Sequence, residues 1–195
     1  ILDNLNARGI RPILWHDMMS EWDGEALKAL AEKADLLTWG YGGHPDNCQY
    51  HCNTRYLKKF HENGITLWGG TAYKGADGHN VDLPVIRNRE ENALAWMDIA
   101  GRFNYKGVIT TAWSRYSTHR VQCEPIDACL DSLVEHGIIF HDGKAPEGGI
   151  ETCVKFLEAA GEKKRFEACR NSMEKLASIR QRGWKNIQNL QEQLA

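Results

Sequence analysis

No apolar run in the 195 residues approaches the length of a bilayer span, so the sequence offers no transmembrane helix. Net charge is nearly absent as well. The formal value is -2 at pH 7, which gives no general electrostatic pull toward nucleic acid or a membrane surface. No G-x-G-x-x-G or G-x-x-x-x-G-K-[ST] follows a strand, and Tyr41-Gly42-Gly43 is too short to cradle a phosphate. The six cysteines, at 48, 52, 123, 129, 153 and 169, contain no C-x-x-C pair. A chain of this length needs no covalent staples, so they read as thiols of a reducing compartment, and the expected location is cytoplasmic. His44, Cys48, His51 and Cys52 lie close together, yet their spacing fits no common structural zinc pattern. No metal and no cofactor is expected. Neither an initiator Met nor a signal peptide opens the chain. Ile1 to Leu5 reads like the middle of a helix, so the chain is expected to begin inside a larger protein.

What is present is an ordinary globular composition, 42% hydrophobic and 26% charged, with an excess of seven tryptophans. Four strand–helix units follow one another. Strands are expected at residues 10–15, 34–39, 65–70 and 107–113. The helices between and after them are expected near 24–33, 54–63, 89–100 and 126–136. Alternating strands and amphipathic helices imply a parallel sheet. Two architectures fit that pattern: a doubly wound open sheet, or half of a barrel. From about residue 151 the chain reads as helical to its end, and Pro146-Glu147-Gly148-Gly149 makes a hinge. The expected division is therefore 1–145 and a helical extension, 146–195.

In parallel α/β folds the site lies at the C-terminal ends of the strands. The first end here carries Trp15-His16-Asp17, the second Trp39-Gly40-Tyr41, the third Tyr73-Lys74-Gly75-Ala76-Asp77, and the fourth Trp113-Ser114-Arg115. Each end bears an aromatic ring, and three of them also carry a charge nearby. A sugar ring has apolar C–H faces and a polar rim. Flat rings cover the faces, while Asp, Lys, Arg and Tyr groups bond the rim.

The stretches ILWHDMM, LLTWGY, GGTAYKGADG and GVITTAWSRYSTHRVQCEPID resemble glycoside hydrolase family 20, and within it the hexosaminidase D-like branch of β-N-acetylhexosaminidases. The likeness covers roughly residues 1 to 136. It implies a TIM (β/α)8 barrel in which the four strands are strands five to eight. It also implies a retaining, substrate-assisted hydrolysis, in which the acetamido oxygen of the sugar attacks the anomeric carbon. An Asp orients that amide and a Glu protonates the leaving oxygen. This chain has no Asp-Glu dipeptide, so the resemblance places the pair upstream of Ile1. On the same basis Trp15, Trp39 and Trp113 would line the pocket, and Tyr73 would donate a hydrogen bond to the acetamide oxygen. Asp17 and Asp77 would bond sugar hydroxyls or stabilise a cationic intermediate, with Tyr41 and Lys74 at neighbouring strand ends. Many family members carry an acidic residue where Arg115 stands. Arg115 therefore either contacts sugar or pairs with Glu124 to hold its loop.

Two rival readings stay open. One is a barrel glycosidase with two ordinary carboxylates, drawn from Asp17 with Asp77 or Glu124. The other is a non-catalytic carbohydrate-binding or interaction module with an autonomous open sheet. An isolated half-barrel has raw sheet edges, so the expected protein partner is the N-terminal half-barrel of the same protein or a second copy of the chain. The expected ligand is a carbohydrate with a terminal N-acetylhexosamine.

Overall fold

The computed structural model describes residues 1–78, 81–113 and 124–193. Its centre is a four-stranded sheet of β1 (Ile13–Trp15), β2 (Asp35–Trp39), β3 (Leu67–Lys74) and β4 (Val108–Ala112). All neighbouring strands are parallel, and their spatial order is their order in the chain. A doubly wound sheet reverses its strand order at a switch point. These four strands contain no such reversal, which is consistent with part of a barrel.

The helices are α1 (Leu2–Ala7), α2 (Gly24–Ala31), α3 (Thr54–Glu62), α4 (Ile86–Arg102), α5 (Leu130–Asp142), α6 (Ile150–Ala159) and α7 (Lys163–Gln193). Local chemistry sets their starts. Asp23 caps α2 by accepting from the Ala26 amide at 2.8 Å, and Asn53 caps α3 by accepting from the Arg55 amide at 2.9 Å. The segment at 126–129 is a 3-10 turn that leads into α5.

One face of the sheet packs on helices. Leu36 and Leu67 join Leu27, Leu30 and Phe60 in one core cluster, and Val108 packs on Trp96 and Ile99 of α4. The opposite face is open along its edge strands, while Leu37 and Ala72 in the middle strands are buried. Ile13, Trp15, Ile109 and Trp113 are 41%, 43%, 37% and 44% exposed.

β3 runs four residues past its expected end. Gly69 and Gly70 read in sequence as a strand stop, because glycine weakens a strand interior. Here they make room. A Cβ on Gly69 would stand 3.0 Å from the Trp96 ring, and one on Gly70 would stand 3.0 Å from the Trp39 Cβ. The period-two alternation therefore continues. Leu67, Thr71 and Tyr73 all face the helix side: Thr71 Oγ1 donates to Asn92 Oδ1 at 2.7 Å, and Tyr73 packs on Ala128, Cys129 and Met173. The pairing with β4 then slips between Ala72 and Lys74.

The tail docks on α5 and its entry turn. Leu157 and Phe166 pack on Leu130, and Arg170 Nη1 reaches Asp131 Oδ2 at 3.0 Å. Among the described residues, no helix is long and apolar enough to cross a membrane.

Burial also sets a pH response. Glu135 of α5 is fully buried, and burial pushes its carboxyl up to about 8, with the neighbouring Glu90 charge adding to the rise. A raised folded-state pKa stabilises the fold fully below the ordinary value of 4.5, and that contribution is lost as pH rises through about 8. Buried His16 and His136, both pushed down to about 4, act in the opposite sense below pH 6.5. A Glu135→Gln variant keeps both histidines, so the comparison isolates the carboxyl. Urea titrations between pH 5 and 8 should show wild type losing stability relative to Glu135→Gln by on the order of 1 kcal/mol per pH unit. A constant difference would show that Glu135 does not titrate in this range.

Candidate functional site

Because the strands are parallel and sequential, their C-terminal ends lie side by side, and the rings they carry meet. Trp15 lies 6.4 Å from Trp39 at nearly a right angle and 6.3 Å from Trp113. Trp39 stacks on Tyr41 at 5.1 Å, and Tyr41 lies 6.1 Å from Trp113. These separations suit edge and offset contacts between rings. Trp15 and Trp113 remain over two-fifths exposed, so the cluster presents ring surface rather than filling a core. Trp96, by contrast, is wholly buried on α4, and its indole donates to the Gly40 carbonyl at 2.8 Å.

The rim of this wall includes Asp17. Its Oδ1 accepts from the Trp39 indole at 3.2 Å. Oδ2 takes no hydrogen bond from the described residues, so it stays available to a ligand hydroxyl. Behind Trp39 stand two histidines that sequence reasoning did not assign. The His51 ring lies 4.3 Å from the Trp39 ring. His16 is fully buried, 5.9 Å from Phe60, and its Nε2–H donates to the His51 carbonyl at 3.0 Å. Burial lowers the pKa of His16 to about 4 and also lowers that of His51, where the Asp17 charge opposes it. The backing of the wall is thus an uncharged imidazole layer at neutral pH.

The same loop corrects the reading of the cysteines as thiols. Cys48 and Cys52 form a disulfide, with Cα atoms 5.9 Å apart, while Cys129, Cys153 and Cys169 are free. His44 does not join a ligand set with them. Its ring accepts from the Asp46 amide and faces Asp98 Oδ2 at 3.1 Å.

Other expected site residues lie elsewhere. Tyr73 is on the helix side of β3, so it does not share the wall with the tryptophans. Burial raises its pKa, and Cys129 and Asp127 add to the rise. Asp77 is buried and serves as an anchor. It pairs with Arg89 at 3.0 Å and accepts from the Val85 amide and Asn88 Nδ2. Lys74 is buried too, with its Nζ donating to the Trp113 carbonyl at 2.5 Å. Burial lowers its pKa, against the charges of Cys129 and Glu124. Glu124 is buried at a φ of 53°, and its pKa is raised first by burial. Arg115 lies outside the described residues, and with it the expected contact to sugar or Glu124.

Arg89 was not singled out from sequence, yet it gathers the site. It donates to the Ala72 carbonyl at 3.2 Å, the Tyr41 carbonyl at 2.7 Å and Asp77 at 3.0 Å. Arg89, Asn92 and Trp96 fall at i, i+3 and i+7 on α4. Polar groups on the buried stripe of a helix were the available signal.

No protein-family model matches the chain. It is similar to hexosaminidase D of Bos taurus, with 30% identity over 128 residues, covering 63% of this chain and 36% of that protein. It is also similar to hexosaminidase D of Homo sapiens, with 28% identity over 130 residues, covering 64% of this chain and 26% of that protein. The chain thus spans about a quarter to just over a third of the length of these curated relatives. The resemblance to the hexosaminidase D-like branch is borne out in sequence.

Trp113 depends on a glycine. Gly75 has a φ of 75°, and a Cβ there would lie 1.9 Å from the Trp113 carbonyl oxygen. Gly75→Ala should destabilise the chain by roughly 1–3 kcal/mol or more and should shift the tryptophan fluorescence. Unchanged urea midpoint and emission would show that the Gly75–Trp113 contact is not tight in solution.

Proposed function

We propose that this chain supplies the sugar-binding wall of a β-N-acetylhexosaminidase-like glycoside hydrolase, with a terminal N-acetylhexosamine as its ligand. The observation that carries the reading is the convergence of Trp15, Trp39, Tyr41 and Trp113 on one exposed face. The named relatives support the same class of activity.

In this reading the four strands are the second half of a (β/α)8 barrel, and the open face of the sheet is the barrel interior. The apolar face of the sugar rests on the exposed indoles of Trp15 and Trp113. Trp39, held by Asp17 and backed by His51, closes the side of the pocket. The free oxygen of Asp17 accepts from a sugar hydroxyl. Cleavage follows the substrate-assisted route, in which the acetamido oxygen is the nucleophile. The carboxylates that orient the amide and protonate the leaving group come from sequence outside these 195 residues. Tyr73 takes no part as donor to the amide, given its place against Cys129 and Met173. The two-carboxylate rival finds less support, because Asp77 and Glu124 are both buried.

An assay on a chromogenic N-acetylhexosaminide tests this. The protein at its natural full length should turn over, and the 195-residue chain alone should not. Trp113→Ala in the full-length protein should lower kcat/KM by roughly 10- to 100-fold, the loss expected for about 1.4–2.7 kcal/mol of ring contact. Turnover by the 195 residues alone would overturn the assignment of the carboxylates. An unaffected Trp113→Ala would overturn the wall.

A further inference from the structure

The loop between β2 and α3 meets the wall at its start through Tyr41 and again farther along through His51, and the stretch that carries His51 is closed by a disulfide. We propose that His51 is a positioning residue for Trp39 and that the Cys48–Cys52 disulfide is its clamp, so that sugar affinity falls when the bond is reduced. The proposal rests on the wall being a sugar site.

Trp39 is held from three directions. Asp17 accepts from its indole at 3.2 Å, Tyr41 stacks at 5.1 Å, and His51 lies against it at 4.3 Å. The first two partners sit on or beside strands. His51 sits in the loop, on the five-residue segment that the disulfide spans. The outer parts of the loop have their own anchors. Asp46 accepts from Thr54 Oγ1 at 2.6 Å and from Arg102 at 2.7 Å, while Asn53 caps α3 and donates to the Cys48 carbonyl at 2.5 Å. The Tyr50 carbonyl also accepts from the Asn53 amide at 2.9 Å, and three further features hold the 48–52 segment. One is the disulfide. Another is the His16 bond to the His51 carbonyl at 3.0 Å. The last is the seat of Cys52 on Gly40, where a Cβ on the glycine would come within 2.8 Å of the Cys52 Cβ. Gly40 directly follows Trp39, so a shift of Cys52 and a shift of the tryptophan are mechanically linked. Both cysteines are half-buried rather than enclosed, which leaves the bond within reach of a reductant.

The chemistry is thiol–disulfide exchange with a dithiol. A thiolate of the dithiol attacks one Sγ, breaks the Cys48–Cys52 bond and forms a mixed disulfide. Its second thiol then displaces the protein sulfur. The protein gains two electrons and two protons, and the dithiol leaves as a disulfide. Opening the short ring removes the covalent tie on the 48–52 segment and loosens the His51 contact on one face of Trp39, leaving it to the His16 bond. A pre-organised wall binds more tightly than one that must order on contact.

The test measures N-acetylglucosamine affinity by calorimetry and follows the Trp39 indole NMR signal, using the protein at its natural full length oxidised, reduced with dithiothreitol, and reoxidised. Among the described cysteines Cys48–Cys52 is the disulfide, and the double-serine variant isolates it from any other bond that dithiothreitol opens. Reduction should weaken binding by roughly fivefold or more and move the Trp39 signal, and reoxidation should restore both. The Cys48→Ser/Cys52→Ser protein should match the reduced state and ignore dithiothreitol. His51→Ala should bind as weakly as the reduced chain, and His51→Phe, which restores a flat ring, should recover most of the affinity. Equal affinity in both redox states, or failure of His51→Phe to rescue, overturns the proposal. If no state binds the sugar, the wall assignment fails instead. The Trp39 signal then decides the clamp by itself, and an unmoved signal on reduction overturns it.

Discussion

Arg89 occupies the point on which the site's geometry depends. Its guanidinium is almost wholly buried and reaches two carbonyls, Ala72 within β3 and Tyr41 just past β2, together with Asp77 in the loop that follows β3. An unpaired charge in that position would carry a large desolvation penalty. Asp77 supplies the opposite charge, and the carbonyls take further protons. Two apolar side chains of the same volume would fill the space at little cost in stability. They would not fix where Tyr41 and Asp77 stand, because apolar contact has no direction. The ion pair does so, and Trp113 is held in turn through Gly75 and Lys74.

The wall follows from two constraints acting together. Parallel strands in sequential order bring four C-terminal ends into a row, and polar groups behind that row orient the rings. Trp39 shows the combination most fully. Gly70 clears space for it, Asp17 fixes its indole, and His51 covers its far side. The histidines are kept neutral by burial, so the surface offered to a ligand is set by ring shape and by the Asp17 carboxylate. The open face of the sheet, with Ile13 and Ile109 below the tryptophans, continues this surface toward the interior of the proposed barrel.

Much of this was legible in the sequence, and the misses have physical causes. The four strand–helix units and the tryptophans at three strand ends follow from periodicity and from the placement of rings beside polar residues. Tyr73 was misplaced because Gly69-Gly70 has two meanings that sequence cannot separate. It can stop a strand, or it can admit large neighbours into one, and here it admits Trp96 and Trp39. Four more strand residues, Thr71 to Lys74, depend on that choice. Asp77 looked like a free acid at a strand end, since its partner is twelve residues away on a helix face. The Cys48–Cys52 bond has no spacing signature, and it depends on the loop folding back over Gly40. His51 contributes a ring and a carbonyl through that same fold-back, which no linear motif records.

The central claim is that Trp15, Trp39 and Trp113 form one surface for an N-acetylhexosamine. The most direct measurement is an indole 15N–1H spectrum of the protein at its natural full length titrated with N-acetylglucosamine, with signals assigned by single Trp→Phe replacements. The account predicts that the Trp15, Trp39 and Trp113 signals move together along one binding curve. Trp96 in the core and Trp184 on α7 should stay in place. Movement confined to Trp96 or Trp184, or three wall signals that respond with unrelated affinities, would contradict it.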